Sequence, residues 1–329
     1  MKNKAILTAL AANSIIAVMK FAVAFISGSA SMFSEGIHSV ADAMNQVVLL
    51  FGKRKARKAP DKKHPFGHAR ATFFASFLVA TLLFFVGGAY SLMEAIEKIS
   101  HINEGVAAAH DPSSYIIAVV ILAISIALEG YSLRVALHEV KEQQELDGTN
   151  KGIFAFFKET RNSSLIVILT EDFAAMLGLI FALAGVSLTL ITNNLLFDAI
   201  GGAAIGVLLI VAAGVLGREI ASLIIGESLP DAQLTRIKEL VENTDHVLEC
   251  RRIKTVAIGA NAVLVEADVV FSADGSVSAA EVMTAITQIK AAIKGYLSSE
   301  DTYVSTCVEA VAPSALVDTD ECGADVPAA

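Results

Sequence analysis

Glu35, His38 and Asp42 sit inside a run of residues that otherwise has the composition of a membrane span. At spacings i, i+3 and i+7 a helix carries all three on one face. Ionisable groups at bilayer depth are costly and face a bundle interior or a watery cavity. An imidazole and a carboxylate one turn apart are what a helix offers a divalent metal. The remaining ligands must come from another helix. Thr170-Glu171-Asp172 interrupts a second apolar run, and of two adjacent carboxylates at least one must turn inward. If Asp172 meets the His38/Asp42 face, three ligands converge. Glu171 lies about 100° further round its helix, so it joins only with some rotation, or serves nearby as a proton carrier. The alternative for all these residues is a polar lock between helices that holds no ion.

A second cluster lies in the loop Pro60-Asp61-Lys62-Lys63-His64-Pro65-Phe66-Gly67-His68. Its prolines and glycine allow a tight turn in which Asp61, His64 and His68 hold a metal, or in which the histidines cap the following helix.

These residues need a scaffold, and the composition says which kind. The chain has 329 residues, 54% hydrophobic and 18% charged, with mean hydropathy +0.61. That is far more apolar than a soluble domain of this length requires. A net charge of -9 excludes nucleic acid as the expected partner. Cys250, Cys307 and Cys322 form no CxxC pair and read as unpaired thiols. No nucleophile–base pair or phosphate loop suggests an enzyme. The N-terminal apolar run is too long for a cleavable signal.

Six apolar segments are long enough to cross a bilayer: residues 5–26, 32–51, 72–96, 115–137, 164–191 and 195–216. Basic residues fall between the second and third segments (Lys53 to Arg70), between the fourth and fifth (Lys141 to Arg161), and after the sixth (Arg218). This asymmetry places both termini in the cytoplasm. The expected fold is therefore an α-helical membrane protein of six transmembrane helices, residues 1–226. A cytoplasmic α+β domain of order αββαβ follows over residues 227–313, and an acidic, disordered tail over 314–329. Within the spans, Lys20 either snorkels or pairs with a carboxylate. Glu129 is a proton relay or a hydrogen-bond partner of Asn13 or Lys20. Asp198 reads as the N-cap of the sixth span. Gly202-x-x-x-Gly206, with Gly214 and Gly217, reads as close helix packing. His101 and His110 read as solvated loop residues.

His38-x-x-x-Asp42, followed by Asp61-x-x-His64-Pro65-Phe66-Gly67-His68, resembles the cation diffusion facilitator family. So do the six spans, the basic loop and the αββαβ tail, and the resemblance runs over residues 5–313. It implies a homodimeric exporter of divalent metal in a lipid bilayer, usually of Zn²⁺, exchanged for protons by alternating access. On that resemblance His38 and Asp42 form the second-helix half of the transport site. The fifth-helix half is usually His-x-x-x-Asp, and with Asp172 as the Asp, Ile168 stands where the His belongs. Glu171, Glu35 or water would then supply the fourth position. A set richer in oxygen tolerates Mn²⁺, Fe²⁺ or Co²⁺ more readily. The Glu171-Asp172 pair resembles a branch that includes a mitochondrial zinc exporter, so Zn²⁺ comes first.

Asp61, His64 and His68 match the family's loop site. The tail domain holds only one histidine, His246, so it is expected to dimerise without a binuclear zinc site. Arg70 and Glu227 are candidates for a charge pair between protomers. Glu35, a turn further out, is expected at the outer mouth. The expected compartment is a bacterial cytoplasmic membrane. The alternative reading is a metal-sensing or scaffolding membrane protein without transport.

Overall fold

The computed structural model describes residues 2–104, 112–146, 152–153, 156–157, 160–259, 262–272, 277–297 and 303–311. At bilayer depth a backbone must satisfy its own hydrogen bonds, so long apolar runs become helices. Lys2–Ser27 forms α1 and Ala30–Ala56 forms α2. Ala71–Leu82 (α3) continues through a π-helical segment, Leu83–Ala89, into Tyr90–Asn103 (α4). Pro112–Leu146 (α5), Ser163–Thr192 (α6) and Leu196–Ile225 (α7) complete the helical unit. Four stretches among the described residues are long and apolar enough to cross a membrane: Ala71–Asn103, Ser113–Glu142, Ser163–Thr192 and Leu196–Ile225. In α1 the described apolar stretch is the shorter Ser14–Ser27. Helix α2 is less apolar because its buried face carries Ser34, Glu35, His38, Ser39 and Asn45.

The turn between α1 and α2 needs Gly28, whose φ of 63° is left-handed. Ser29 then caps α2, its side chain accepting from the Met32 N–H. Helix α2 enters the bundle over small residues. A Cβ on Gly201 would lie 2.6 Å from Ser31 Oγ, and one on Gly202 3.2 Å from Ala30. One helical turn on, a Cβ on Gly206 would meet the Leu92 backbone nitrogen at 2.7 Å. Close packing therefore explains Gly202 and Gly206. Gly214 and Gly217 have nothing within 4 Å of an added Cβ and take no part in it.

Asp198 departs from its expected role. It lies in the first turn of α7, fully buried, and caps a different helix. Its carboxylate accepts from Ser29 Oγ at 2.6 Å and from the Ala30 N–H at 2.8 Å, at the start of α2. Lys98 on α4 pairs with it at 2.9 Å and also donates to the Gly28 carbonyl. One carboxylate thus joins the end of the α1–α2 hairpin to α4 and α7. A carboxylate at a helix N-terminus is favoured by the four free N–H groups there.

A second compact unit begins at Gly226. It contains Asp231–Glu242 (α8), Val247–Gly259 (β1), Ala262–Phe271 (β2), Ala279–Leu297 (α9) and Tyr303–Ala310 (β3). The sheet order is β1-β2-β3, with β1 antiparallel and β3 parallel to the central β2. The central strand is nearly all buried. Val265, Ala267 and Val269 pack with Ile237 and Val241 of α8 and Ala285, Ile289 and Ile293 of α9. Ser278 and Glu281 form a reciprocal capping box on α9. The Ser278 N–H holds the Glu281 carboxyl below its usual range. The expected turn residues Ala260 and Asn261, and the expected tail 314–329, lie outside the described residues.

Candidate metal sites

Helices α1, α2, α5 and α6 line a pocket of about 90 Å³, α1 only through Ile16. Asp42 and Gln46 come from α2, Glu129 and Ser132 from α5, and Glu171 and Asp172 from α6. The adjacent carboxylates of α6 both reach it because α6 packs against both α2 and α5. Asn45 of α2 donates to Glu171 Oε1 at 2.5 Å, and Ser132 of α5 points its hydroxyl at Asp172 Oδ2, 3.3 Å away. Residues about 100° apart can face two neighbours whose junction is the pocket. No rotation of α6 is needed, contrary to the expectation for Glu171. Ile168 packs instead against Ala136, Leu165 and Leu169.

His38 is 2% exposed, with Nε2 3.6 Å from Asp42 Oδ2. It does not itself line the pocket and meets it through Asp42. Among the described residues, neither ring nitrogen has a hydrogen-bond partner, nor do Asp42 Oδ1 and Gln46 Oε1. The structure thus brings Asp42, Glu171 and Asp172 to one pocket, with His38 behind Asp42. It does not draw them to coordination distance: among the described residues, only Asp61, His64 and His68 have ligand atoms all within 4.8 Å of one another.

Glu35 is not at an outer mouth. It is buried and accepts from Lys20 Nζ at 2.9 Å, while Lys20 also donates to Ser39 Oγ at 2.9 Å. Both side chains of the pair are 1% exposed. Gly178 of α6 makes room for this carboxylate, since a Cβ there would lie 2.8 Å from Glu35 Oε1. Of the two readings for Lys20, pairing is the one realised. Three residues in and beside the pocket wall are not picked out by the sequence, Gln46, Ser132 and, beside them, Asn45, while Glu129 reads there as a proton relay or hydrogen-bond partner and not as a ligand. Gln46 continues the His38, Asp42 spacing by four, and Glu129 and Ser132 share a face at i, i+3. Those spacings were the available signal.

In the loop, Asp61 is the organising residue. Its Oδ1 accepts from the Lys63 and His64 N–H groups at 2.8 and 2.7 Å. Its Oδ2 lies 3.1 Å from His68 Nε2, and its Oδ1 3.2 Å from His64 Nδ1. Gly67, at φ 80°, turns the chain so that the two imidazoles lie with centroids 4.2 Å apart. The cluster is a carboxylate and two imidazoles at ligand spacing, largely open to solvent. The His64 N–H, then the His68 ring, hold the Asp61 carboxyl down to about 2. A depressed carboxyl pKa contributes loop order above the unfolded value of about 3.9, and that order disappears as pH falls through the folded one. Carbon-detected NMR should therefore find the Asp61 carboxyl titrating near pH 2, the loop's hydrogen bonds to it breaking between about pH 4 and 2. A midpoint at the unfolded value would contradict this geometry.

In the second unit, Cys250 is buried, which pushes its thiol up to about 11, a poor state for metal ligation. His246 sits at φ 70° before β1. His101 is exposed on α4, and His110 and Cys322 lie outside the described residues.

The family description "Cation efflux transmembrane domain" matches residues 6–225. A mouse protein named "Proton-coupled zinc antiporter SLC30A9, mitochondrial" is 33% identical over 275 residues, 84% of this chain and 47% of that protein. Its human counterpart is 32% identical over 275 residues, 84% of this chain and 46% of that protein. The chain therefore spans about half the length of these relatives. "Manganese efflux system protein MneP" of Bacillus subtilis is 26% identical over 253 residues, 77% of this chain and 78% of that protein. The expected bacterial cytoplasmic membrane is corrected by these names. The mouse and human relatives are mitochondrial proteins, so the multi-pass membrane character is kept and the compartment is withdrawn.

Proposed function

Because the chain belongs to the cation efflux family, matched over residues 6–225, we propose that it moves a divalent metal cation, zinc foremost, across a membrane in exchange for protons. The observation that carries this reading is the convergence of Asp42, Glu171 and Asp172 from two helices on one intramembrane pocket. In this reading α1 and α2 join the four strongly apolar stretches to make six spans. Subunits pair through the αββαβ unit, and the tail carries no metal pair. Zinc is supported by the names of the mouse and human relatives, and manganese, as a second substrate, by that of the Bacillus relative.

The ligands themselves couple the two fluxes. Metal binding needs a neutral His38 and ionised Asp42, Glu171 and Asp172, so arriving metal displaces protons and arriving protons displace metal. The Asp61, His64 and His68 loop captures the ion in solution, its imidazoles already gathered by Asp61. Purified protein in liposomes should load Zn²⁺ when a pH gradient is imposed and stop when the gradient is collapsed. Binding without gradient-driven flux would favour a sensing or scaffolding protein instead.

A further inference from the structure

We propose that Glu129, on α5, is a cation ligand of the intramembrane pocket and widens its choice toward ions that take oxygen ligands. The proposal rests on the transport reading above and extends the site to a third helix. Glu129 shares a pocket of about 90 Å³ with Asp42, Glu171 and Asp172. Four carboxylates in so small a space need a compensating cation or protons. Among the described residues, no Lys or Arg lines the pocket. Lys20, the cation the sequence offered as a partner for Glu129, is engaged by Glu35 and Ser39.

Among the described donors beside the pocket, Ser132 points toward Asp172 and Asn45 donates to Glu171, so neither serves Glu129. An independent observation points to a ligand rather than a lock. His38, 2% exposed, has no partner on either nitrogen and directs Nε2 toward Asp42, 3.6 Å away. Asp42 Oδ1 and Gln46 Oε1 are likewise buried without partners. Roughly 90% or more of buried polar groups are hydrogen-bonded. Unpartnered atoms on residues 38, 42 and 46 fall on one stripe of α2, beside the pocket that Glu129 completes.

The chemistry sets the preference. Zinc is content with four ligands, which His38, Asp42, Glu171 and Asp172 can provide. Manganese suits carboxylate and carbonyl oxygens, and Glu129 adds one from α5. Removing its charge should therefore cost manganese more than zinc.

The test is calorimetric titration of the purified full chain with Mn²⁺ and with Zn²⁺, in an Asp61→Ala background that removes the loop cluster. Glu129→Gln keeps the shape of the side chain. It should weaken Mn²⁺ binding by about 10-fold or more, the scale of disturbing a metal's surroundings, and Zn²⁺ binding by much less. Glu129→Asp keeps the charge and should retain most Mn²⁺ affinity; it also serves if the glutamine variant does not fold. Wild-type Mn²⁺ affinity in Glu129→Gln would overturn the proposal. So would equal loss of both ions in Glu129→Gln and Glu129→Asp, which would mark a packing role. If the parent binds neither ion, the transport reading itself fails.

Discussion

Alanine at Asp42 is expected to cut proton-driven zinc flux by about 100-fold or more while leaving the protein folded. Asp42 is the one group that touches both His38, at 3.6 Å, and the pocket shared with Glu171 and Asp172. Its removal deletes the proposed anionic ligand and also separates the imidazole from the α6 carboxylates. Losing a merely supporting group around a metal costs about 10–100-fold, so a ligand that links both halves should cost at least the upper figure. Stability should move the other way or not at all. Asp42 Oδ1 has no hydrogen-bond partner among the described residues, and a buried polar atom without one costs stability that alanine does not. Flux in proteoliposomes and thermal unfolding in detergent measure the two effects. Flux at the wild-type rate, or a collapse of stability that accounts for the loss, would contradict the assignment.

The second large effect lies about two turns away, in the pair that positions α1 against α2. Lys20→Met should lower stability by about 3–5 kcal/mol, the cost of breaking a buried ion pair from one side. Both partners are 1% exposed. Glu35 Oε1 already lacks a partner, so losing Lys20 leaves that carboxylate with no cation. The double variant Lys20→Met, Glu35→Gln should recover most of the loss, because a pair replaced from both sides is often nearly neutral. Thermal unfolding of the two singles and the double gives the coupling directly. Additive losses would show that Lys20 acts by packing alone.

Much of this site was legible because polar residues in an apolar run announce themselves. His38 and Asp42 share a face, and Asp61, His64 and His68 are close in sequence, so helical spacing and a tight turn sufficed. What was not legible depends on which helices become neighbours. Asp198 reads as the cap of its own helix, but its acceptors serve Ser29 and Ala30, about 170 residues away in the chain. Glu171 reads as needing rotation, or as a nearby proton carrier, only while one facing helix is considered; α6 meets both α2 and α5, and the pocket sits at that junction. Lys20 had two physically sound options, and only the packing of α1 on α2 chose Glu35. Glu129 had no carboxylate partner close in sequence, since its carboxylate neighbours come from α2 and α6. The π-helical segment within Ala71–Asn103 has no local signature beyond Gly87 and Gly88. These meet α7 closely: a Cβ on Gly88 would lie 2.7 Å from Ile210 Cγ1.

The central claim is that the transported ion binds inside the membrane, between α2, α5 and α6. Anomalous diffraction at the zinc edge, from the full chain soaked in Zn²⁺, locates the ion without reference to activity. The expected map has a peak in the pocket bounded by Asp42 and Asp172, with ligand distances of about 2.0–2.2 Å to nitrogen and oxygen, and that peak is lost in Asp42→Ala. A second peak at Asp61, His64 and His68 is also expected. Zinc confined to that loop, with an empty pocket in the wild-type protein, would contradict the claim.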